Sequence, residues 1–337
     1  MLGFQTPKES EMLDVAQQLN AQDVKEFFDA TPLLPDSNAI QQRMAQDGYL
    51  FLKSVADPEV LVALRDQITA ICDRYGWMKS GVDHRECISD HTPVVEGDDE
   101  YLPIYTEVQR LEAFHALAHE PGIMSAMRAV LGETAFPHPL SICRLVFPNN
   151  FAWATPAHQD YPNNQGSEDL YASWIPLVAC PQTTGSLAIL SGSNRLGLLP
   201  LEYSLGAGHR RCVLDDRHQK LDWVSSGFEL GDILIFHSLT IHKSLENQSE
   251  SMRISVDYRY QREGENMSRA CLRPHFSQDS WERIYSDWKR PELQYYWRDK
   301  NVVFQDWDAD IHALPADHFK DALRLKGAYD KQRLSDN

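Results

Sequence analysis

The pentapeptide AHQDY, residues 157–161, sets an imidazole and a carboxylate two positions apart, His158 and Asp160. On an extended chain such residues point to the same face. Together they form two-thirds of a facial triad, the donor set that holds divalent iron and leaves coordination positions open. So short a pair also arises as a plain salt bridge, so the chemistry needs a third donor from a distant strand. The stretch GDILIFHSLTIHKSLEN, Gly231 to Asn247, offers two, His237 and His242. Five residues is an odd step, so along one unbroken strand the two rings would face opposite sides. A bend at Ser-Leu-Thr relaxes that constraint. Shortly after, RISVDYRYQ alternates: Arg253, Ser255, Asp257 and Arg259 share one face, and Ile254, Val256 and Tyr258 the other. An arginine pointing into an apolar barrel needs an anion, and a carboxylate matches its planar fork. An internal acid, Asp257 or Glu229, is the alternative partner.

Positions 158, 160, 242 and 253 can meet only if strands remote in sequence are folded together. From about residue 140, LSICRLVF, LYASWIPLVAC, GSLAILSGS, FELGDILIFHS and MRISVDYRYQ are short β-rich runs punctuated by Gly, Pro, Asn and Ser. Helical patterns precede them. AIQQRMAQDGYLFLKSV predicts a helix, a turn at Asp47-Gly48 and a strand from Tyr49 to Leu52. Asp57 is a plausible N-cap with Pro58 at the first helical position, and Val60, Leu61, Leu64, Ile68 and Ile71 recur at helical spacing. EVQRLEAFHALAHEPGIMSAMRAVLG predicts one or two helices stopped by Gly132. His115 and His119 stand there at i, i+4, but without a third donor nearby they read as structural. The acidic run EGDDE reads as a solvated loop. Helices followed by a set of short strands predict an α+β fold around a sandwich or barrel of jelly-roll type. Residues 1–37 read as a polar, helix-prone N-terminal extension, 38–262 as the main domain, and 263–337 as an aromatic-rich extension that packs back on the core. That last segment is expected to cap the site or form a dimer contact, and ADHFKDALRLKGAYDKQ to make a final helix.

The combined pattern HQD, Trp174, SGSNR, GDILIFHSLTIHKSLEN and R-x-S resembles the phytanoyl-CoA dioxygenase family of non-haem iron(II), 2-oxoglutarate-dependent oxygenases, which includes ectoine hydroxylase and many natural-product hydroxylases. The likeness spans roughly residues 38–262 and takes in the opening DGYLFLKSVADPE. It implies a double-stranded β-helix (jelly-roll, cupin-like) core, with His158, Asp160 and His242 as iron ligands. In the family an arginine that grips the far carboxylate of 2-oxoglutarate follows the distal histidine by eleven residues. Counted from His242 that step reaches Arg253; counted from His237 it reaches Gln248, which cannot pair ionically. Ser244 and Ser255 match family serines near the co-substrate, as do Trp174 and Arg144 more loosely. The implied reaction consumes O2 and 2-oxoglutarate, releases succinate and CO2, and hydroxylates an unactivated C–H bond of a small metabolite or natural-product intermediate. Related halogenases replace the ligand carboxylate with a small residue, so Asp160 favours hydroxylation, although desaturation, cyclisation or demethylation can follow from the same oxidant. A non-redox cupin-like metal- or ligand-binding protein is the competing class, but it would have no use for a second carboxylate anchor such as Arg253. Trp153, Tyr161, Asn163, Asn164 and the loop 203–226, with Arg210 and Arg211, are candidates to face the substrate.

Bulk properties set the remaining bounds. The 337 residues carry a formal net charge of −17, with 42% hydrophobic and 24% charged residues. An acidic surface repels nucleic acid and anionic membranes, so neither is expected as a partner. No apolar run approaches the ~18 residues of a membrane span, and the N-terminus lacks a basic start and apolar core of a secretion signal. Six scattered cysteines, with no C-x-x-C pair, predict reduced thiols in a cytoplasmic protein.

Overall fold

The computed structural model describes residues 24–150, 154–204 and 206–314. Among the described residues twelve strands can be followed: β1 Tyr49–Leu52, β2 Ala135–Val146, β3 Tyr171–Pro176, β4 Leu187–Leu190, β5 Leu201–Tyr203, β6 Arg210–Cys212, β7 Trp223–Val224, β8 Ile233–His237, β9 His242–Ser244, β10 Arg253–Arg262, β11 Asn266–Ser268 and β12 Val303–Gln305. A five-stranded antiparallel sheet has the order β1-β8-β3-β10-β2, and a three-stranded sheet the order β7-β4-β9. The smaller sheet is widened by an antiparallel bridge from His158 to His242. The chain therefore has the α+β, jelly-roll architecture.

Strand alternation assigns each face of the large sheet to a separate core. On β8, Ile233 and Ile235 enter a cluster with the helices, while Leu234 and Phe236 enter a second cluster between the sheets with Tyr49, Phe51, Trp174, Leu187 and Ile189. On β10, Ile254, Val256, Tyr258 and Tyr260 face the helices. Burying one such aliphatic or aromatic side chain stabilises by roughly 1.5–3 kcal/mol.

The helices behind the large sheet begin and end where local chemistry dictates. Asp36 caps Ser37–Asp47 by accepting from Asn38 N and Ala39 N, and Gly48 ends it at φ +76°. Asp57 caps Pro58–Arg74 through Glu59 N. The region expected to hold one or two helices holds three short α-segments, Tyr101–Gln109, Glu112–Ala116 and Pro121–Leu131. Pro121 starts the last one, with Glu120 accepting from Ile123 N, so the chain cannot run on as a single helix. His115 is buried with Nε2 2.8 Å from Gln109 O, and His119 packs edge-on against Tyr296 at 4.5 Å.

Of the N-terminal extension expected to be helix-prone, residues 1–23 lie outside the described residues, and residues 24–36 depart from that expectation. They contain no α-helix and bridge Val224 and Phe51 through Lys25 and Asp29. Pro32 and Pro35 disfavour a continuous helix there, and backbone pairing with both sheets replaces it. The described part of the aromatic extension packs on the core: Trp288 Nε1 donates to Arg110 O at 2.9 Å and Tyr296 Oη to Pro137 O at 3.1 Å. The final helix expected over 316–332 lies outside the described residues. All six cysteines are buried and unpaired. Among the described residues no helix is long and apolar enough to cross a membrane.

Candidate metal and co-substrate site

The bend after β8 builds the site. Gly48 O accepts from His237 N at 3.0 Å and from Thr240 Oγ1 at 2.7 Å. A Cβ on Gly48 would lie 2.6 Å from Thr240 Oγ1, so a larger residue would push this turn away. The turn moves the chain from the large sheet to the small one, so the two histidines of this stretch end on different sheets. His237 stays on β8 with Nε2 3.6 Å from Asp169 Oδ1, and its Nδ1 accepts from Leu239 N at 3.1 Å. His242 opens β9. The same turn places the opposing segment, because Ser238 O accepts from Asp160 N at 2.9 Å and from Tyr161 N at 3.1 Å. His158 and His242 exchange backbone hydrogen bonds of 2.9 and 3.0 Å.

This pairing brings His158, Asp160 and His242 together, one ligand atom of each lying within 4.8 Å of the others. Asp160 Oδ1 is 3.8 Å from His158 Nε2 and 4.0 Å from His242 Nε2. Each imidazole donates its other nitrogen to a carbonyl: His158 Nδ1 to Pro156 O at 2.8 Å, and His242 Nδ1 to Thr240 O at 3.1 Å. A carbonyl can only accept, so the proton sits on Nδ1 and Nε2 presents its lone pair inward. Burial, followed by the neighbouring His242, pushes His158 down to about 3; burial also lowers His242. Burial alone would raise Asp160, but the charge of the neighbouring Arg259 guanidinium holds it well below the usual carboxylate range. Two neutral imidazoles and one carboxylate are the protonation states a divalent cation requires.

Arg253 lies beyond this cluster, fully buried at 0% exposure. Its Nη1 donates to two neutral oxygens, Gly185 O and Ser244 Oγ, the latter at 2.8 Å. Its Nε has no hydrogen-bond partner among the described residues, and its guanidinium carbon stands 5.8 Å from the buried Trp174 ring. Ser255 is buried on the same face, its Oγ likewise without a hydrogen bond among the described residues. A guanidinium this deeply buried needs an anion to offset its desolvation. Ser244 follows His242 by two residues, a rise of about 7 Å along a strand, which suits a five-carbon dicarboxylate reaching from the histidines to Arg253.

The buried charges near the cluster alternate. Glu96 is 2.8 Å from Arg144, Arg144 is 2.7 Å from Asp257, Asp257 is 3.8 Å from Arg259, and Arg259 is 2.9 Å from Asp160. With Arg253 this makes three carboxylates and three guanidiniums. The protein part is neutral, and a divalent cation with a doubly charged 2-oxoglutarate would keep it so. The residues therefore fit both groups in donor type, protonation and charge.

Arg144 thus stands on the inward face, but held between Glu96 and Asp257. Glu96 corrects the solvated-loop reading of EGDDE: its side chain is only 15% exposed. A charge run gives no hint of one member folding inward, whereas the positions of Asp257 and Arg259 were visible in the alternation of RISVDYRYQ. Tyr161 is half-buried directly after Asp160. Asn163 Oδ1 lies 2.9 Å from His312 Nε2, while Asn164 Nδ2 donates to Asp160 O at 2.9 Å and so supports the turn carrying that carboxylate. Arg210 Nε donates to His312 O at 3.3 Å; Arg211 pairs with Glu202 at 2.6 Å on the β5–β6 hairpin. Trp153 lies outside the described residues. The C-terminal segment supplies contacts that composition did not reveal. Gln165 and the Asp308 backbone exchange two hydrogen bonds of 2.7 Å, and His275 Nε2 reaches to 3.9 Å from Glu96.

Comparison with known proteins agrees with this architecture. The chain is 27% identical to the 1-deoxypentalenic acid 11-beta-hydroxylase of Streptomyces arenae, over 70% of this chain and 85% of the relative. It is 26% identical to the enzyme of the same name from Streptomyces exfoliatus, over 71% and 86%. The crystal structure of the epimerase SnoN with Fe3+, alpha ketoglutarate and nogalamycin RO superposes with a TM-score of 0.50 at 16% identity, covering 69% of this chain and 86% of that one, a likeness of fold. Residues 44–255 match the family model for phytanoyl-CoA dioxygenase, and the chain belongs to that family of iron(II)- and 2-oxoglutarate-dependent oxygenases.

Proposed function

We propose that His158, Asp160 and His242 hold the iron, and that Arg253, with Ser244 and Ser255 beside it and Trp174 packed against it, anchors the far carboxylate of 2-oxoglutarate. The observation that carries this reading is the pairing of three inward ligand atoms within 4.8 Å with a fully buried guanidinium that, among the described residues, donates only to neutral oxygens. Iron and 2-oxoglutarate, when bound, would let O2 hydroxylate an unactivated C–H bond, one oxygen atom going to the product and the other to succinate, with release of CO2. The protein places and protects. Pro156 O and Thr240 O keep both imidazoles in the tautomer that presents Nε2. The two packed sheets limit access of water to Arg253. Arg144 sits inward beside Ser255, its cross-strand partner, where its charge favours a dianion.

The substrate is a small metabolite or biosynthetic intermediate. The hydroxylases that the chain resembles are named for a carboxylic acid, which supports placing small alicyclic acids first among candidates. Membership of a family that includes ectoine hydroxylase supports the same broader class of small-metabolite hydroxylation, and the ectoine-hydroxylase-like subtype remains part of this proposal. Tyr161, Asn163 and Arg210, around the turn after Asp160, are proposed to face the substrate. We assign residues 38–262 to the catalytic unit and 263–314 to a wall that closes over it.

The test is anaerobic. Iron(II) and 2-oxoglutarate added to the protein under argon are expected to give the weak visible charge-transfer band of the chelate. Addition of O2 with a panel of acids, headed by 1-deoxypentalenic acid, is expected to release succinate. Absence of both the band and succinate would leave the protein a non-redox, cupin-like binder.

A further inference from the structure

We infer that Arg259 is a positioning residue for the metal: it holds Oδ2 of Asp160, so that this carboxylate offers the ion one oxygen only. The inference rests on the triad proposed above and goes beyond it.

The two oxygens of Asp160 face different partners. Oδ1 is the atom 3.8 and 4.0 Å from the histidine Nε2 atoms, and Oδ2 is 2.9 Å from Arg259 Nη2. Both side chains are only 4% exposed, so water competes little for either contact. A carboxylate can bind a metal through one oxygen or two. The choice matters here, because a facial triad works through the positions it leaves open. A six-coordinate ion with three protein donors has three positions left, enough for a chelating keto acid and O2. A second oxygen from Asp160 would take one of them.

The fold commits Arg259 to this task. The β10–β2 register breaks between Tyr258 and Tyr260, so Arg259 sits opposite the irregularity while keeping its pairing to Ala172 on β3. Residues 138–140 of β2 stand opposite Arg259 there, while Arg259 keeps the alternation of its own strand and so stays on the face of Arg253, Ser255 and Asp257. Asp257 stands 3.8 Å from Arg259 Nη1 and is itself held by Arg144, which Glu96 holds in turn. The guanidinium is thus flanked by carboxylates on both sides, and its nearest is the metal ligand. A mere neutralising role would need charge alone; reaching Asp160 through Nη2 while Nη1 lies 3.8 Å from Asp257 needs the planar, two-pronged guanidinium.

The full chain, titrated with cobalt(II) under argon, tests this. Arg259→Met is expected to bind cobalt about 10–100-fold more weakly, the usual cost of losing an outer partner of a metal ligand. Its visible cobalt spectrum is expected to shift as Asp160 becomes free to chelate. Arg259→Lys, with the charge but not the fork, is expected to recover part of the affinity but not the wild-type spectrum. Arg259→Met with cobalt affinity within about twofold of wild type and a superimposable spectrum overturns the inference. So does a lysine variant that restores both affinity and spectrum, since charge alone then suffices. Should the methionine variant not fold, the lysine variant decides on the same two readouts. His158→Ala separates the two levels. If wild type takes up no cobalt, or His158→Ala retains it, the triad reading fails and this inference falls with it. If His158→Ala loses cobalt while the Arg259 variants match wild type, only the inference is lost.

Discussion

The two faces of β10 are both buried and do opposite work. Toward the helices stand Ile254, Val256, Tyr258 and Tyr260, all 0% exposed. The tyrosines spend their hydroxyls on Phe114 O and Ala118 O, so this face leaves no hydroxyl unmatched. Toward the small sheet stand Arg253, Ser255, Asp257 and Arg259, at 0%, 0%, 4% and 3% exposure. Here Arg253 Nε, Ser255 Oγ, Asp257 Oδ1 and Arg259 Nε lack hydrogen bonds among the described residues. The first face lowers the free energy of the fold. The second raises it, because buried charges recover their desolvation only in part. One strand thus stabilises the molecule on one side and keeps buried polar groups without hydrogen bonds on the other, where the co-substrate is proposed to bind.

Mutations should separate these roles. The largest effect is expected from His242→Ala on the small sheet opposite. Succinate formation should fall by more than about 1,000-fold, since turnover has no route without the metal. Retained turnover would show that the metal is held elsewhere. On the apolar face, Ile254→Ala should cost about 2–5 kcal/mol in denaturant unfolding, with 2-oxoglutarate affinity unchanged in the folded protein. A loss of affinity there would mean the two faces are coupled. On the polar face, Arg253→Ala should weaken 2-oxoglutarate binding about 10–100-fold, or ~1.4–2.7 kcal/mol, and leave metal uptake intact by isothermal titration.

Acid should act through buried histidines remote from the ligands. Burial pushes His115 and His138 down to about 4, against 6.5 for the exposed group. Their folded values lie below their unfolded ones, so the unfolded chain binds more protons between the two. Their contribution is therefore fully present above about pH 6.5 and declines as the pH falls toward 4, by at most roughly 3 kcal/mol for each histidine. A melting temperature of the metal-free protein that stays flat between pH 6.5 and 4 would contradict this. The smallest effect belongs to His237→Ala. Its contact with a half-exposed Asp169 should be worth under about 1 kcal/mol, and cobalt affinity should not change. A lost metal signal in that variant would undo the division between the two histidines.

Much of this was legible in the chain. Strand β10 shows its two faces by period, and the caps at Asp36 and Asp57 follow from the physics of exposed helix N–H groups. Other features left no trace. Glu96 belongs to an acidic run whose members look alike, and its inward turn depends on Arg144 arriving from β2. The break of one helical region into three segments depended on Pro121 and on what each segment packs against. The contacts of Gln165 and His312 join segments about 150 residues apart, and no local pattern encodes such pairs.

The sequence by itself determined which donors exist, how they are spaced, and which residues share a strand face, because these follow from the two-residue period of extended chain. It left His237 and His242 equally placed as donors until family likeness was added. Tertiary structure separates them on physical grounds. The turn anchored on Gly48 carries the chain across from one sheet to the other, leaving His237 beside Asp169 and setting His242 opposite His158. Which oxygen of Asp160 faces the histidines, and which faces Arg259, is likewise a matter of packing, since the two are chemically identical until a neighbour tells them apart.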